Sequence, residues 1–368
     1  MASLRLLAST ASLAKPAWRA RISAWLDKWN FHCEVLVGGN REATDFIGHP
    51  YIDDNDTTAY TDLEWSRRLR ESGHGALILD ELTTAAPSTQ KGMLRVIQER
   101  MVGHHSLGEN TVIVAMANPP EQGCDAYDLP APTANRFMHV DWALDSKEWM
   151  AGLAQGFDHL EVPDLDTLVA PNTTAGQARA FQMVQGFLSH AGQFLEPDVP
   201  KDAHEAGRAW ASPRMWTQAM KVIARIHTTD DNTRFLALKG CVGDAAAKAF
   251  ETWLMHADLA DPEAVLADPS IVDWSNERPD RLWALTQSVM RIVQDPTAQN
   301  PKTLWTQGMA VMAACCEAGK PDIVFTSVTK LYAANPDPKA PVPATILAMM
   351  EKLLINMNQL SGPLAAAS

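Results

Sequence analysis

The chain has 368 residues, room for two or three domains with a sizeable core, and its formal net charge of −13 argues against a broad basic face for nucleic acid. Its five cysteines, Cys33, Cys124, Cys241, Cys315 and Cys316, are odd in number and lack C-x-x-C spacing, so they suggest neither a disulfide framework nor a zinc site and fit a reducing cytoplasm. No apolar run reaches the ~18 residues of a membrane span, and the expectation is a soluble, cytoplasmic protein.

From Met1 to Leu26 there is no acidic residue, and Arg5, Lys15, Arg19 and Arg21 stand among serines and alanines, which is one way an organelle transit peptide reads. Ile22, Trp25, Leu26 and Trp29 share a face at helical spacing over Ile22–Asn30. Phe31–Val37 reads as a strand broken by Gly38-Gly39-Asn40, and Thr61–Ser72 as a helix capped by Thr61 with Glu64 three residues on. Ala76-Leu77-Ile78-Leu79 then runs into Asp80-Glu81, the pattern of a buried parallel strand whose carboxyl end is where open sheets place ligands. Ser88–Arg100 predicts a helix with Met93, Val96 and Ile97 inward; a second apolar run, Val112–Ala117, ends in Asn118-Pro119-Pro120, and Asn135-Arg136-Phe137 follows. Alternating strands and helices call for a parallel sheet with crossover helices.

Beyond about Ser146 helical patterns dominate: Thr174–Ala191, Pro213–His227 and Asn232–Met255, then Asp280–Val293, Thr303–Ala318 and Pro343–Met357. The expected division is an α/β core over 1–150, an α-helical lid over 151–262 and a helical C-terminal extension over 263–368, with Trp274, Trp283 and Trp305 as packing residues and no repeat period.

Strand-Asp-Glu, strand-Asn and a lone Arg, in that order and spacing, resemble the Walker B, sensor 1 and arginine-finger segments of AAA+ ATPases, closest to the MoxR-type branch. Three further segments join them. Arg41–Gly48 looks like the stretch after the second strand of MoxR-type proteins, Glu99–Gly103 like the entry to the hairpin before sensor 1, and Ala211-Ser212-Pro213-Arg214-Met215-Trp216 like the start of the sensor 2 helix. The resemblance covers roughly Ile22 to Pro262 and implies a P-loop NTPase-like α/β core using ATP and Mg2+.

Under that resemblance Asp80 is the carboxylate that holds the Mg2+ shell, a hard cation preferring oxygen ligands. Glu81 is the base that orients and deprotonates the attacking water, and Asn118 holds that water near the γ-phosphate. Arg136 reaches the neighbouring subunit's nucleotide, and Arg214 contacts phosphate. Arg214 lies at a helix start where the dipole gives a cation no help, which itself argues for an anionic partner. The implied protein is an ATP-dependent remodelling or chaperone-like homo-oligomer, a hexameric ring whose relatives often act with a von Willebrand factor A domain protein. The alternative is a non-hydrolysing ring or scaffold subunit.

That alternative arises because G-x-x-x-x-G-K-[ST], whose glycines let backbone N–H groups wrap phosphate, is absent. Gly319-Lys320 is followed by Pro321 and reads as a turn. Leu4–Pro16 stands where the loop belongs: with Lys15 in register, Ser9 and Ala14 replace the glycines and Pro16 the magnesium-binding hydroxyl. A degenerate loop, or a truncated or frame-shifted start that loses resemblance before about Ile22, both answer to this. The expectation is ATP binding far weaker than that of an intact relative. Three other features carry no chemistry. His104-His105 point to opposite faces of a hairpin without a third ligand, Asp53–Asp56 lacks the Gly and distal Glu of a calcium loop, and Gly38-Gly39 is a turn.

Overall fold

The computed structural model describes residues 5–10, 26–117, 127–142, 145–156, 164, 167, 169–337 and 339–351. The chain forms two compact units: Met1–Val169 with Phe194–Val222 and Ile226–Ala249, and Ala170–Gln193 with Ile223–Arg225 and Phe250–Ser368.

The first unit is built on a parallel sheet of five strands, β1 (Arg5–Thr10), β2 (His32–Val37), β5 (Gly75–Asp80), β8 (Thr111–Ala117) and β9 (Met138–Trp142), in the spatial order β2-β5-β8-β1-β9. The expected α/β core with a parallel sheet is therefore present, and Arg5–Thr10, to which the sequence assigned no strand, lies inside it. Ser9 is paired with both Ala117 and Asp141, and Thr10 with Trp142. A phosphate loop in the Lys15 register would have to begin at Ser9, which is strand; residues 11–16 lie outside the described residues.

β5 reads as an unbroken apolar run because both its faces are covered. Leu77 and Leu79, with Ile113 and Ala115 of β8, join the cluster around Phe46, Met93, Ile97 and Phe137, while Ala76 and Ile78, with Val114 and Met116, pack with Leu26 on the other face. The helix Pro87–Glu99 covers the first face with Met93, Val96 and Ile97 fully buried, as its periodicity predicts. At the β2 edge, burial alone would raise the Glu34 carboxyl, but the Arg68 guanidinium at 2.6 and 3.0 Å and His32 at 2.7 Å lower it on balance.

Several local expectations change. Thr61 caps no helix: its Oγ1 accepts from His49 N–H at 2.9 Å, and the helix starts later, at Glu64–Glu71, without a side-chain cap. A short hairpin the sequence did not indicate appears, β3 (Pro50–Ile52) with β4 (Thr58–Tyr60), while the hairpin expected after Glu99–Gly103 is present as β6 (Met101–Val102) with β7 (His105–Ser106). Asp53 closes the first, its Oδ1 accepting from Asn55 and Thr57 N–H at 3.0 and 2.9 Å. The helix expected over 232–255 is two, Asp231–Val242 and Asp244–Leu254, because Gly243 takes φ +85° where a Cβ would sit 2.8 Å from Ala209 O.

The second unit contains helices and no strand among its described residues, chiefly Thr174–His190, Pro262–Ala267, Pro279–Val293, Pro301–Glu317, Pro321–Ala333 and a final helix over 344–351. The Pro321–Ala333 helix was not foreseen. Trp274 and Trp305 are buried, but Trp283 is 39% exposed and tilts against Phe181 instead of filling the core. No helix among the described residues is long and apolar enough to cross a membrane.

Candidate functional site

The order β2-β5-β8-β1-β9 sends the chain from β1 back to the far edge at β2, whereas the connection leaving β8 steps over β1 to β9. Outgoing connections therefore diverge between β8 and β1, and in open parallel sheets a crevice forms outside the carboxyl ends at such a switch point. Asp80 ends β5, one strand from that divergence, and is 2% exposed.

The backbone at the acid pair is unusual. Glu81 adopts φ +55°, a left-handed conformation costing a non-glycine residue about 1–2 kcal/mol. Its N–H donates to Asp80 Oδ1 at 2.9 Å, its carbonyl accepts from Thr84 N–H and Oγ1 at 3.1 and 3.0 Å, and the next residue, Leu82, donates N–H to Met116 O at 3.0 Å, tying the turn to β8. Gly38 and Gly39, beyond β2, lie against this turn: a Cβ on Gly38 would sit 3.0 Å from Glu81 O, and one on Gly39 3.3 Å from Glu81 Oε2. The pair is a turn, as the sequence indicates, and also the wall beside the Glu81 carboxylate, which sequence reading missed. Thr83, 5% exposed, has no hydrogen-bond partner for its hydroxyl among the described residues.

A second cluster is cationic. Phe137 is fully buried and Asn135 is 5% exposed, fixing the segment between them at Arg136, whose Nη1 donates to Pro132 O. Arg214 is exposed in the first turn of the helix Pro213–Ile223, anchored by Trp216, which is 2% exposed and donates Nε1–H to Phe194 O at 2.7 Å. Burial, and after it the positive charge of Arg214, hold Arg136 below the usual guanidinium range, so the two cations are electrostatic neighbours. Among the described residues neither is paired with a carboxylate. Asn135 joins the two segments, donating Nδ2–H to Trp210 O at 2.9 Å and accepting from Ser212 Oγ at 2.6 Å. An Asn next to an Arg and a Ser before a helix-starting Pro were the only sequence hints of that junction.

A cavity of about 840 Å³, within the range of small-molecule sites, is lined by Thr83, Ala117, His139, Trp210 and Leu236 among others, while Asp80, Glu81, Arg136 and Arg214 are not among its lining residues. Trp210 Nε1 is buried without a hydrogen-bond partner among the described residues. Burial depresses the His139 pKa, keeping the ring neutral with Nε2–H donating to Ala134 O at 3.0 Å.

Asn118 lies outside the described residues, as do Lys15 and Pro16. No group of three or more His, Cys, Asp or Glu placed to hold a metal occurs among the described residues, and His105 is exposed on β7.

Fold and site together define an open α/β protein whose main sheet is all-parallel, with a buried carboxylate at its carboxyl-end crevice and two arginines that no carboxylate among the described residues pairs. No protein-family model and no curated protein matches the chain. Among solved structures it is similar to a candidate ATPase from Cytophaga hutchinsonii, at 14% identity over 69% of this chain and 84% of that one, with a TM-score of 0.40. It is also similar to the RuvB Holliday junction branch migration motor of Thermotoga maritima, at 14% identity over 78% and 74% with a TM-score of 0.24. A third is a DNA polymerase III gamma subunit-related protein of Thermotoga maritima, at 11% over 96% and 93% and again 0.24. Likenesses this distant say nothing about chemistry, which has to be read from the chain's own side chains.

Proposed function

We propose that the chain is an AAA+ ATPase subunit of MoxR type that spends ATP hydrolysis on protein remodelling within a homo-oligomeric, hexameric ring. The observation that carries this reading is the acid pair: a buried Asp80 with Glu81 beside it, at the carboxyl end of β5 near the switch point. The donor set suits Mg2+, because Asp80 offers a hard carboxylate oxygen and no soft ligand stands beside it in sequence. Asp80 would hold the ion, which when bound neutralises phosphate charge. Glu81, turned by its left-handed backbone and walled by Gly39, would take the proton of the attacking water. Arg136 would offer its positive charge to phosphate across a subunit boundary, and Arg214 would contact phosphate as well. Asn118 keeps its sensor role in this reading, and the lid role of 151–262 and a von Willebrand factor A domain partner belong to it as well. A cytoplasmic setting is supported by the four described cysteines, all free thiols.

A second reading, a non-hydrolysing ring or scaffold subunit, is favoured by one observation: the sequence contains no G-x-x-x-x-G-K-[ST]. Steady-state Mg-ATP turnover of the assembled protein separates the two. The ATPase reading expects turnover that Glu81→Gln lowers by ~10²–10⁴, the range of a general base, with assembly intact. A rate that survives Glu81→Gln contradicts the placement of the site; a wild type without turnover whose assembly ignores Glu81→Gln is a scaffold.

A further inference from the structure

Two guanidinium groups held as neighbours repel, and a chain places them so only where the backbone enforces it. The enforcement here is a buried polar junction. Asn135 uses both ends of its amide, Nδ2–H to Trp210 O at 2.9 Å and Oδ1 from Ser212 Oγ at 2.6 Å, so reversing the amide would set oxygen against oxygen at Trp210. Ser212, 9% exposed, is used as fully: it gives its only proton to Asn135 and accepts Met215 N–H at 3.2 Å, capping the helix that carries Arg214. One junction thus stands one residue from Arg136 and two from Arg214.

We propose that Asn135 and Ser212 are positioning residues that lock Arg136 and Arg214 into a single two-arginine clamp for one phosphate-bearing group. The inference rests on reading both arginines as phosphate ligands. The clamp is preorganised: the repulsion between its cations is met during folding, and a polyanion entering between them relieves it. It also accounts for both cations standing without a carboxylate partner among the described residues. A Lys in place of either would lose the planar fork through which guanidinium grips phosphate bidentately.

The probe is inorganic triphosphate, titrated calorimetrically into the full chain, a readout that needs no hydrolysis. In the wild-type background Arg136→Ala and Arg214→Ala should each remove most of the binding, and the double variant should lose little more, because a clamp acts as one unit. Ser212→Gly deletes the hydroxyl at Asn135 while keeping a residue that helix N-caps accept at little cost. It should weaken triphosphate roughly three- to tenfold and make the two arginine losses additive, and Ser212→Thr should restore wild-type behaviour. Where Ser212→Gly melts early, Asn135→Leu serves for the same cycle. A purely structural junction predicts altered melting with an unaltered cycle. Additive arginine losses in the wild type, or a cycle unchanged by both junction variants, overturn the clamp. No triphosphate binding alongside Glu81-dependent ATP turnover also overturns it and leaves the acid-pair reading intact; the clamp cycle without turnover does the reverse.

Discussion

Asp80 and Glu81 are consecutive residues closing one fully covered strand, whereas Arg136 and Arg214 come from separate segments joined by the Ser212–Asn135 hydrogen bond across 77 positions. The carboxylates inherit their place from local sequence, since a strand buried on both faces has one carboxyl end and whatever follows it is delivered there. The arginines have their place from packing: Phe137 inward on one side, Trp216 inward on the other, and a buried amide between. A region of the first kind tolerates change elsewhere in the fold. A region of the second kind fails when any of several distant contacts fails, so its weakest points lie outside the site.

The sharpest way to break that contrast is steric. Gly240, in the helix Asp231–Val242 that packs on β9 beside the arginine segment, would place a Cβ 2.3 Å from His139 O. Gly38, beside the acid pair, would place one 3.0 Å from Glu81 O and from the flexible end of Met93. Gly240→Ala should cost ~1–3 kcal/mol in urea denaturation, the usual range for overpacking, because a backbone carbonyl cannot swing aside. Gly38→Ala should cost less, since its backbone neighbour Glu81 O stands at 3.0 Å instead of 2.3 Å and Met93 can yield. Equal costs, or the reverse order, would remove the claim that the arginine region is the more contact-dependent of the two.

A smaller effect comes from His139. Its folded pKa lies below the ordinary value of about 6.5, so as pH falls through that value the unfolded chain binds a proton that the folded chain refuses. Stability should therefore drop below about pH 6.5 and be insensitive to this group above it. Comparing melting temperatures at pH 7.5 and 5.5, His139→Gln should lose less on acidification than the wild type. Parallel losses would show that the ring titrates alike in both states.

Legibility in the sequence followed the same division. The apolar runs that became β5 and β8 and the inward face of Pro87–Glu99 were plain, because each is periodic or continuous over a few residues. β1 was not: Arg-Leu-Leu-Ala-Ser-Thr is short, begins with a cation and lies in an acid-free stretch, so leader composition masked its strand character. The hairpin strands β3 and β4, three residues each, are too short for a period to show. The Thr61 cap failed because His49, twelve positions away, took the oxygen, a competition local rules do not contain. Asp80 and Glu81 could be singled out from one segment. That Arg214 neighbours Arg136 could not, because nothing local to either encodes Asn135 reaching Trp210 and Ser212.

The central proposal is a hydrolytic site divided between chains, with the carboxylates from one subunit and the arginines from the next. Glu81→Gln subunits keep their arginines, and Arg136→Ala subunits keep their carboxylates. Each variant alone should be inactive, and mixing them one to one in a head-to-tail ring should restore about a quarter of wild-type ATP turnover, the share of junctions that pair an intact acid end with an intact arginine edge. Mixtures that stay as inactive as their components, although co-assembly is demonstrated, would contradict the account: Arg136 would then serve its own chain or none.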